Sequence, residues 1–247
     1  MVNNRAWYNL GTCTTLDGNT QIIVLFLNDN ESHWDDVSIS EFFNRSLYPG
    51  LQFIADKAVF YQVDLTFNTA YYSSDPTQNF YLNYNGTVGN NIETSYSPDI
   101  LTQAAYAIGF RSVDEMYEYS CQWAGVEKVA FMVAMNKYGR SYALPDQQND
   151  NYDYIEYCVI FNSPMNSGPY GLISATVAHE MLHLYGAEDY YLETSTRKDV
   201  ADLICYYDIM RRVYTDISYN HIGGYTAYSV GWKNAIPPEY NRTDWFT

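Results

Sequence analysis

Apolar positions along this chain fall in blocks whose length and period separate strands from helices. Residues 21–27, apolar throughout after Gln21, predict a buried strand. Phe42, Phe43, Leu47, Leu51, Ile54, Ala58 and Val59 then recur at helical spacing, with Asp36 or Ser38 as the cap. Pro49-Gly50 falls inside that helix and should kink or divide it. Residues 62–68 alternate apolar and polar, the signature of a second strand. Residues 73–95 are polar and rich in Asn and Tyr, a long loop. Ser97 caps and Pro98 opens a helix over 99–108, and a second helix runs over 113–123. Residues 128–134 predict another buried strand, and 157–161 the last one. Between them, residues 141–144 are short and stopped by Pro145, which suits either an edge strand or a simple loop. Residues 222–232 form a closing helix despite Gly223-Gly224. Strands alternating with helices place the chain in the α/β (α+β) class.

One helical block carries chemistry. Residues 171–178 are largely apolar and lead into His179-Glu180-Met181-Leu182-His183-Leu184-Tyr185-Gly186-Ala187-Glu188-Asp189. The two histidines lie four apart, so a helix puts both imidazoles on one face, where they can share a metal ion. Glu180 sits beside them, within reach of a metal-bound water, as a general base. Gly186 can take the positive φ that ends a helix and turns the chain back. Asp189 then arrives as a third ligand, with adjacent Glu188 as its competitor. Two His and a carboxylate leave one position open, the layout of a catalytic zinc site rather than a structural one. Only four His occur in the chain, and two are in this motif. Against it stands an ordinary amphipathic helix with two solvated histidines.

The pattern H-E-x-x-H-x-x-G-x-x-D resembles that of the metzincin clan of zinc endopeptidases, and its Asp form is similar to snapalysin-like and immune-inhibitor-A-like peptidases. The resemblance covers residues 173–232; the first half of the chain matches only in its order of strand, long helix and strand. It implies a twisted, mostly parallel sheet with an antiparallel edge strand, a long backing helix, the zinc helix, and a C-terminal helix after a Met-containing turn. Met210, in Tyr207-Asp208-Ile209-Met210, is the residue for that turn; the plain alternative is a core methionine filling a gap. It further implies one catalytic Zn2+ held by His179, His183 and Asp189, Glu180 as the base, and hydrolysis of peptide bonds in a protein or peptide substrate. The edge strand Ser141-Tyr142-Ala143-Leu144 would pair with an extended substrate.

Three departures and rivals matter. Where several metzincins carry a Tyr two residues after the Met, this chain has Arg212; Tyr206, Tyr214 and Tyr219 are out of register, so the oxyanion stabiliser is unassigned. A third ligand from a second helix, as in thermolysin-like enzymes, would have to be Glu193, Glu239, Asp199 or Asp202, none well spaced. His221 reads better as a surface or outer-shell residue than as a ligand. Two other classes share the motif: a non-catalytic zinc or glycan-binding domain, against which intact Glu180 argues, and a metal hydrolase of small amides or esters.

Composition adds bounds. A chain of 247 residues suits one catalytic domain, with an upper part over 1–170 and a lower part over 171–247. A net charge of −16 disfavours nucleic acid and anionic membranes as partners. No apolar stretch is long enough to span a bilayer. Met1-Val2-Asn3-Asn4 runs straight into Arg5-Ala6-Trp7 with no signal sequence; the expectation is a secreted or cell-surface chain whose export signal has been trimmed. Cys13, Cys121, Cys158 and Cys205 are too scattered for a zinc knuckle, and pairs and buried thiols remain equal alternatives. The 27 Tyr, many in polar company, can line a peptide- or glycan-contacting surface or simply stiffen loops. Asp- and Asn-rich residues 146–153 could bind Ca2+, although a solvated loop is the simpler reading.

Overall fold

The computed structural model describes residues 11–74, 86–90, 99–145, 155–164, 173–191, 195–236 and 238. The expected Ser97-Pro98 cap, the Gly171-Leu172 lead-in, most of the 73–95 loop, the 146–153 loop, Glu193 and Glu239 lie outside them. β1 (Gly18–Leu27), β2 (Leu65–Tyr72), β3 (Val129–Gly139), β4 (Tyr142–Leu144) and β5 (Tyr157–Pro164) form one sheet in the order β2-β1-β3-β5-β4. Every pairing is parallel except β4 with β5. The fold is therefore mixed α/β with one antiparallel edge pair.

The unbroken apolar runs are explained by burial on both faces. Ile22, Val24 and Phe26 of β1 join Ala130, Met132 and Ala134 of β3 and Cys158 and Ile160 of β5 on one face. Ile23, Leu25 and Leu27 join Val129, Phe131, Val133, Tyr157 and Val159 on the other. The second face is covered by α2 (Asp99–Ile108) and α3 (Val113–Ala124). The first is covered by the long helix α1 (residues 36–60), by α4 (Ser174–Leu184) and by the C-terminal segment.

α1 is the long backing helix. It runs through Asp36–Phe42, a π-helical turn Phe43–Leu47, and Tyr48–Phe60, with its backbone helical across both junctions. Its cap is Asp35, not Asp36 or Ser38; the Asp35 carboxylate accepts from the Ser38 N–H, and the Ser38 hydroxyl completes a capping box. Pro49 does not divide the helix; it follows directly on the π turn, at the start of the last α-helical stretch. Gly50 is needed where α1 packs on α4, because a Cβ there would lie 2.7 Å from the Ser174 carbonyl oxygen.

Some boundaries moved. β2 starts three residues later than expected, since Gln62 at φ 60° and the Val63 N–H to Ala58 spend those residues closing α1. A helix not foreseen, α5 (Ser195–Ile204), follows the motif, and the closing helix α6 is only Gly224–Ser229. Gly223 serves as its cap residue and Gly231, at φ 92°, follows its end. None of the four cysteines is in a disulfide, and Cys13, Cys158 and Cys205 are buried. Among the described residues no helix is long and apolar enough to cross a membrane.

Candidate metal centre

The motif folds as its residue types require. α4 ends in a Schellman arrangement: Gly186, at φ 90°, gives its N–H to the His183 carbonyl (3.0 Å), and the Ala187 N–H reaches Leu182 O (3.1 Å). That reversal brings Asp189 back over the helix it has just left. The returning segment is pinned by the Tyr190 N–H to Met210 O (3.0 Å) and by the Tyr190 hydroxyl to Thr226 Oγ1 (2.7 Å).

Both imidazoles are fixed by backbone carbonyls. His179 Nδ1 lies 3.0 Å from Ile209 O, and His183 Nδ1 lies 2.6 Å from Ala187 O. A carbonyl can only accept, so each Nδ1 carries a proton, and Nε2 is the nitrogen left to offer a lone pair when the ring is neutral. The two Nε2 atoms face each other at 3.1 Å, and Asp189 Oδ1 lies 3.2 Å from both. This oxygen is buried and makes no hydrogen bond. Three electron-rich atoms held so close repel one another unless a proton or a metal ion sits among them. Ligand bonds of 2.0–2.1 Å at tetrahedral angles separate donor atoms by about 3.3 Å, close to the observed triangle.

Charge points the same way. Burial pushes the Asp189 carboxyl up, but contact with His179 and His183 outweighs it and holds the group well below the usual carboxylate range. Burial pulls His179 down, and its contact with Asp189 and the Glu180 charge more than reverse this. The site stabilises positive charge at its centre. Glu180 is 6% exposed, and its carboxylate comes within 4.8 Å of the imidazole donors; His179, Glu180 and His183 together could hold a metal ion. Burial raises Glu180, opposed by both imidazoles and by Arg140.

The turn at Asp208-Ile209-Met210 lies against His179 through the Ile209 carbonyl, and Met210 is fully buried in the same core as α4. Asp208 is the centre of this turn. Its carboxylate accepts from the Met210 N–H (2.9 Å), the Gly223 N–H (2.7 Å) and the Thr226 hydroxyl (2.9 Å). Burial pushes Asp208 up to about 6, partly offset by those donors.

The remaining candidates fall elsewhere. Among Ser141, Tyr142, Ala143 and Leu144, Ser141 precedes the strand and its Oγ accepts the Phe161 N–H (3.1 Å), while Tyr142 is buried. Ala143 and Leu144 are half-buried, and the backbone of β4 lies at the edge of the sheet. Asp202 is paired with Arg211, and His221 is exposed, packed on Tyr207 and bridged through its backbone to residues 207–209. Tyr206 and Tyr214 flank the Arg212 guanidinium, and Tyr219 packs on Tyr214, in a largely exposed cluster. Reasoning from sequence missed Asp208, Tyr191 and Arg140. Tyr191 stacks on His179, and Arg140 acts on Glu180 from the end of β3.

No protein-family model matches the chain, and no curated protein matches it either.

Proposed function

We propose that this chain is a zinc-dependent metallopeptidase of metzincin type, with His179, His183 and Asp189 as the ligands and Glu180 as the general base. The observation that carries the reading is the donor triangle: two imidazoles whose Nδ1 atoms are occupied by carbonyls, so that two Nε2 lone pairs and Asp189 Oδ1 converge at 3.1–3.2 Å. Histidine and carboxylate donors of this count suit zinc with an open fourth position. Further support comes from the Gly186 reversal, the buried Met210 turn under His179, and a parallel sheet ending in an antiparallel edge strand.

Zinc held there would lower the pKa of a water and polarise a carbonyl. The other roles belong to the protein. Glu180, buried beside the imidazoles, takes a proton from the attacking water and delivers it to the leaving amine. The Ile209 and Ala187 carbonyls keep each ring in the tautomer that leaves Nε2 free. β4 offers a backbone edge along which an extended chain can be aligned for attack.

Glu180→Gln tests this directly. The variant should retain one zinc per chain by elemental analysis and lose casein cleavage by several orders of magnitude, about 10³-fold or more. Cleavage near the wild-type rate, or no metal uptake by the wild-type protein, would overturn the reading.

A further inference from the structure

The two edges of the sheet differ in length and in how they are guarded. At one, β4 is three residues long and Pro145 follows it. At the other, β2 runs for eight residues in unbroken parallel register with β1. Among the described residues, β1 is the one strand that pairs with residues 65–70. Long edges are normally protected by Lys, Pro or a bulge, because their outward N–H and C=O groups can template a further strand. β2 contains no charge, no Pro and no bulge.

A groove runs beside this edge, on the α1 side. Alternate side chains of a strand share a face, and Leu65, Phe67, Thr69 and Tyr71 of β2 line the groove opposite α1. It holds two cavities of about 430 and 450 Å³, which meet at Tyr48 and Thr69. α1 lends Ile39 and Phe43 to the first, Leu51 and Ala55 to the second. Between them Tyr48 is 48% exposed. A strand added to β2 would continue the pleat, so its own alternate side chains would drop into these two cavities.

Charge selects the occupant. Asp36 lines the first cavity, and Gln52, which lines the second, donates to the Asp56 carboxylate at 2.7 Å. No Lys or Arg lines either cavity. A second copy of the chain would bring its own net charge of −16 against the same acidic rim, whereas a cationic segment is drawn to it. Four strand spacings separate this edge from β4, about 19 Å, so the site is distinct from the metal centre.

We propose that the β2 edge and the α1 groove form a docking site for an extended, basic segment of another protein, held by strand addition with its apolar side chains in the two cavities. The inference does not use the metal centre and stands whether or not the chain is a peptidase.

A fluorescein-labelled peptide, Lys-Val-Thr-Val-Thr-Val-Lys, is the probe. Its anisotropy should rise saturably with wild-type protein, equally with and without a zinc chelator, and its affinity should fall as salt is raised. The same peptide flanked by Glu, or N-methylated at its five central residues, should bind at least about 10-fold more weakly. Thr69→Lys sets a like charge where the cavities meet; it should weaken binding by at least about 10-fold while the melting temperature stays near that of wild type. Asp36→Asn, an exposed change, should weaken it by less. Equal affinity for the Lys- and Glu-flanked peptides, or unchanged affinity in both variants, would overturn the proposal. So would binding lost in chelator or in His183→Ala, which would place the peptide at the metal centre. A wild-type dimer in sedimentation velocity that dissociates in Thr69→Lys would overturn it too, because the edge would then belong to a second copy.

Discussion

Asp208 gives no signal in the sequence beyond its place before Ile209-Met210, yet three donors converge on its buried carboxylate. Through the Met210 N–H it shapes the turn whose Ile209 carbonyl holds His179, and through Gly223 and Thr226 it ties that turn to α6. Replacing it by Ala strands buried donors, each costing about 1–3 kcal/mol. Asp208→Ala should thus lose at least about 2 kcal/mol in urea unfolding and weaken zinc binding. The same residue predicts a pH effect of defined sign. Its folded value of about 6 lies above the unfolded one of 3.8, so the folded state binds the extra proton between the two. Wild-type stability should therefore drop, relative to Asp208→Asn, as pH rises from about 4 through 6, by up to about 3 kcal/mol. Metal-free melts at several pH values check this, and a difference independent of pH would refute it. His179, Glu180, His183, Gly186 and Asp189 were legible because a single helix and its reversal bring them together. Asp208, Tyr191 and Arg140 were not, because only tertiary structure brings their partners close.

At the scale of elements, legibility followed the strength of the local period. β1 and β3 announced themselves as apolar runs because both their faces are buried. The β4 edge was readable from Pro145, but its partner and its antiparallel direction were not. α5 was missed because Ser195-Thr196-Arg197-Lys198-Asp199 supplies no apolar face. α6 was overestimated because its limits come from outside it: Asp208 takes the Gly223 N–H, and Gly231 lies just beyond its end. The packing of α1 on α4 yields the sharpest prediction here. Gly50→Ala gains about 1 kcal/mol of helix propensity but forces a Cβ to 2.7 Å from Ser174 O and 3.1 Å from the Val177 side chain. Overpacking of this kind costs about 1–3 kcal/mol, and the clash is with backbone that cannot rotate away. The variant should be less stable by about 1 kcal/mol and hold zinc less tightly, since α4 carries both imidazoles. A Gly50→Ala protein that melts at or above the wild-type temperature would show that the helices separate at no cost.

For the molecule as a whole, the candidate ligands join the α4 side to the C-terminal side, which the core and the hydrogen bonds from Tyr61 to Ile222 and from Trp232 to Leu16 also hold together. His179 and His183 ride on α4, which packs on α1, β4 and β5. Asp189 belongs to the segment pinned to Met210 and, through Tyr190, to Thr226 of α6. A cation at the triangle would fasten the sheet side to the C-terminal side and relieve the repulsion of three lone-pair donors 3.1–3.2 Å apart. The net charge of −16 adds a long-range field that favours cation uptake and weakens with salt. Because the unfolded chain scatters these ligands, binding free energy becomes folding free energy. At free zinc a thousand times the dissociation constant, the gain is about 4 kcal/mol. In a chain of this size each kcal/mol moves the melting temperature by about 2–4 °C, so chelation should lower it by about 8–16 °C. Added Zn2+ should restore the loss in wild type and not in His183→Ala, whereas Mg2+ should restore neither, because it prefers oxygen ligands in octahedral array. Identical melting curves with and without chelator, for protein shown to contain metal beforehand, would mean that the ion is not held by the folded centre. A shift that persists in His183→Ala would place the ion elsewhere on this acidic surface.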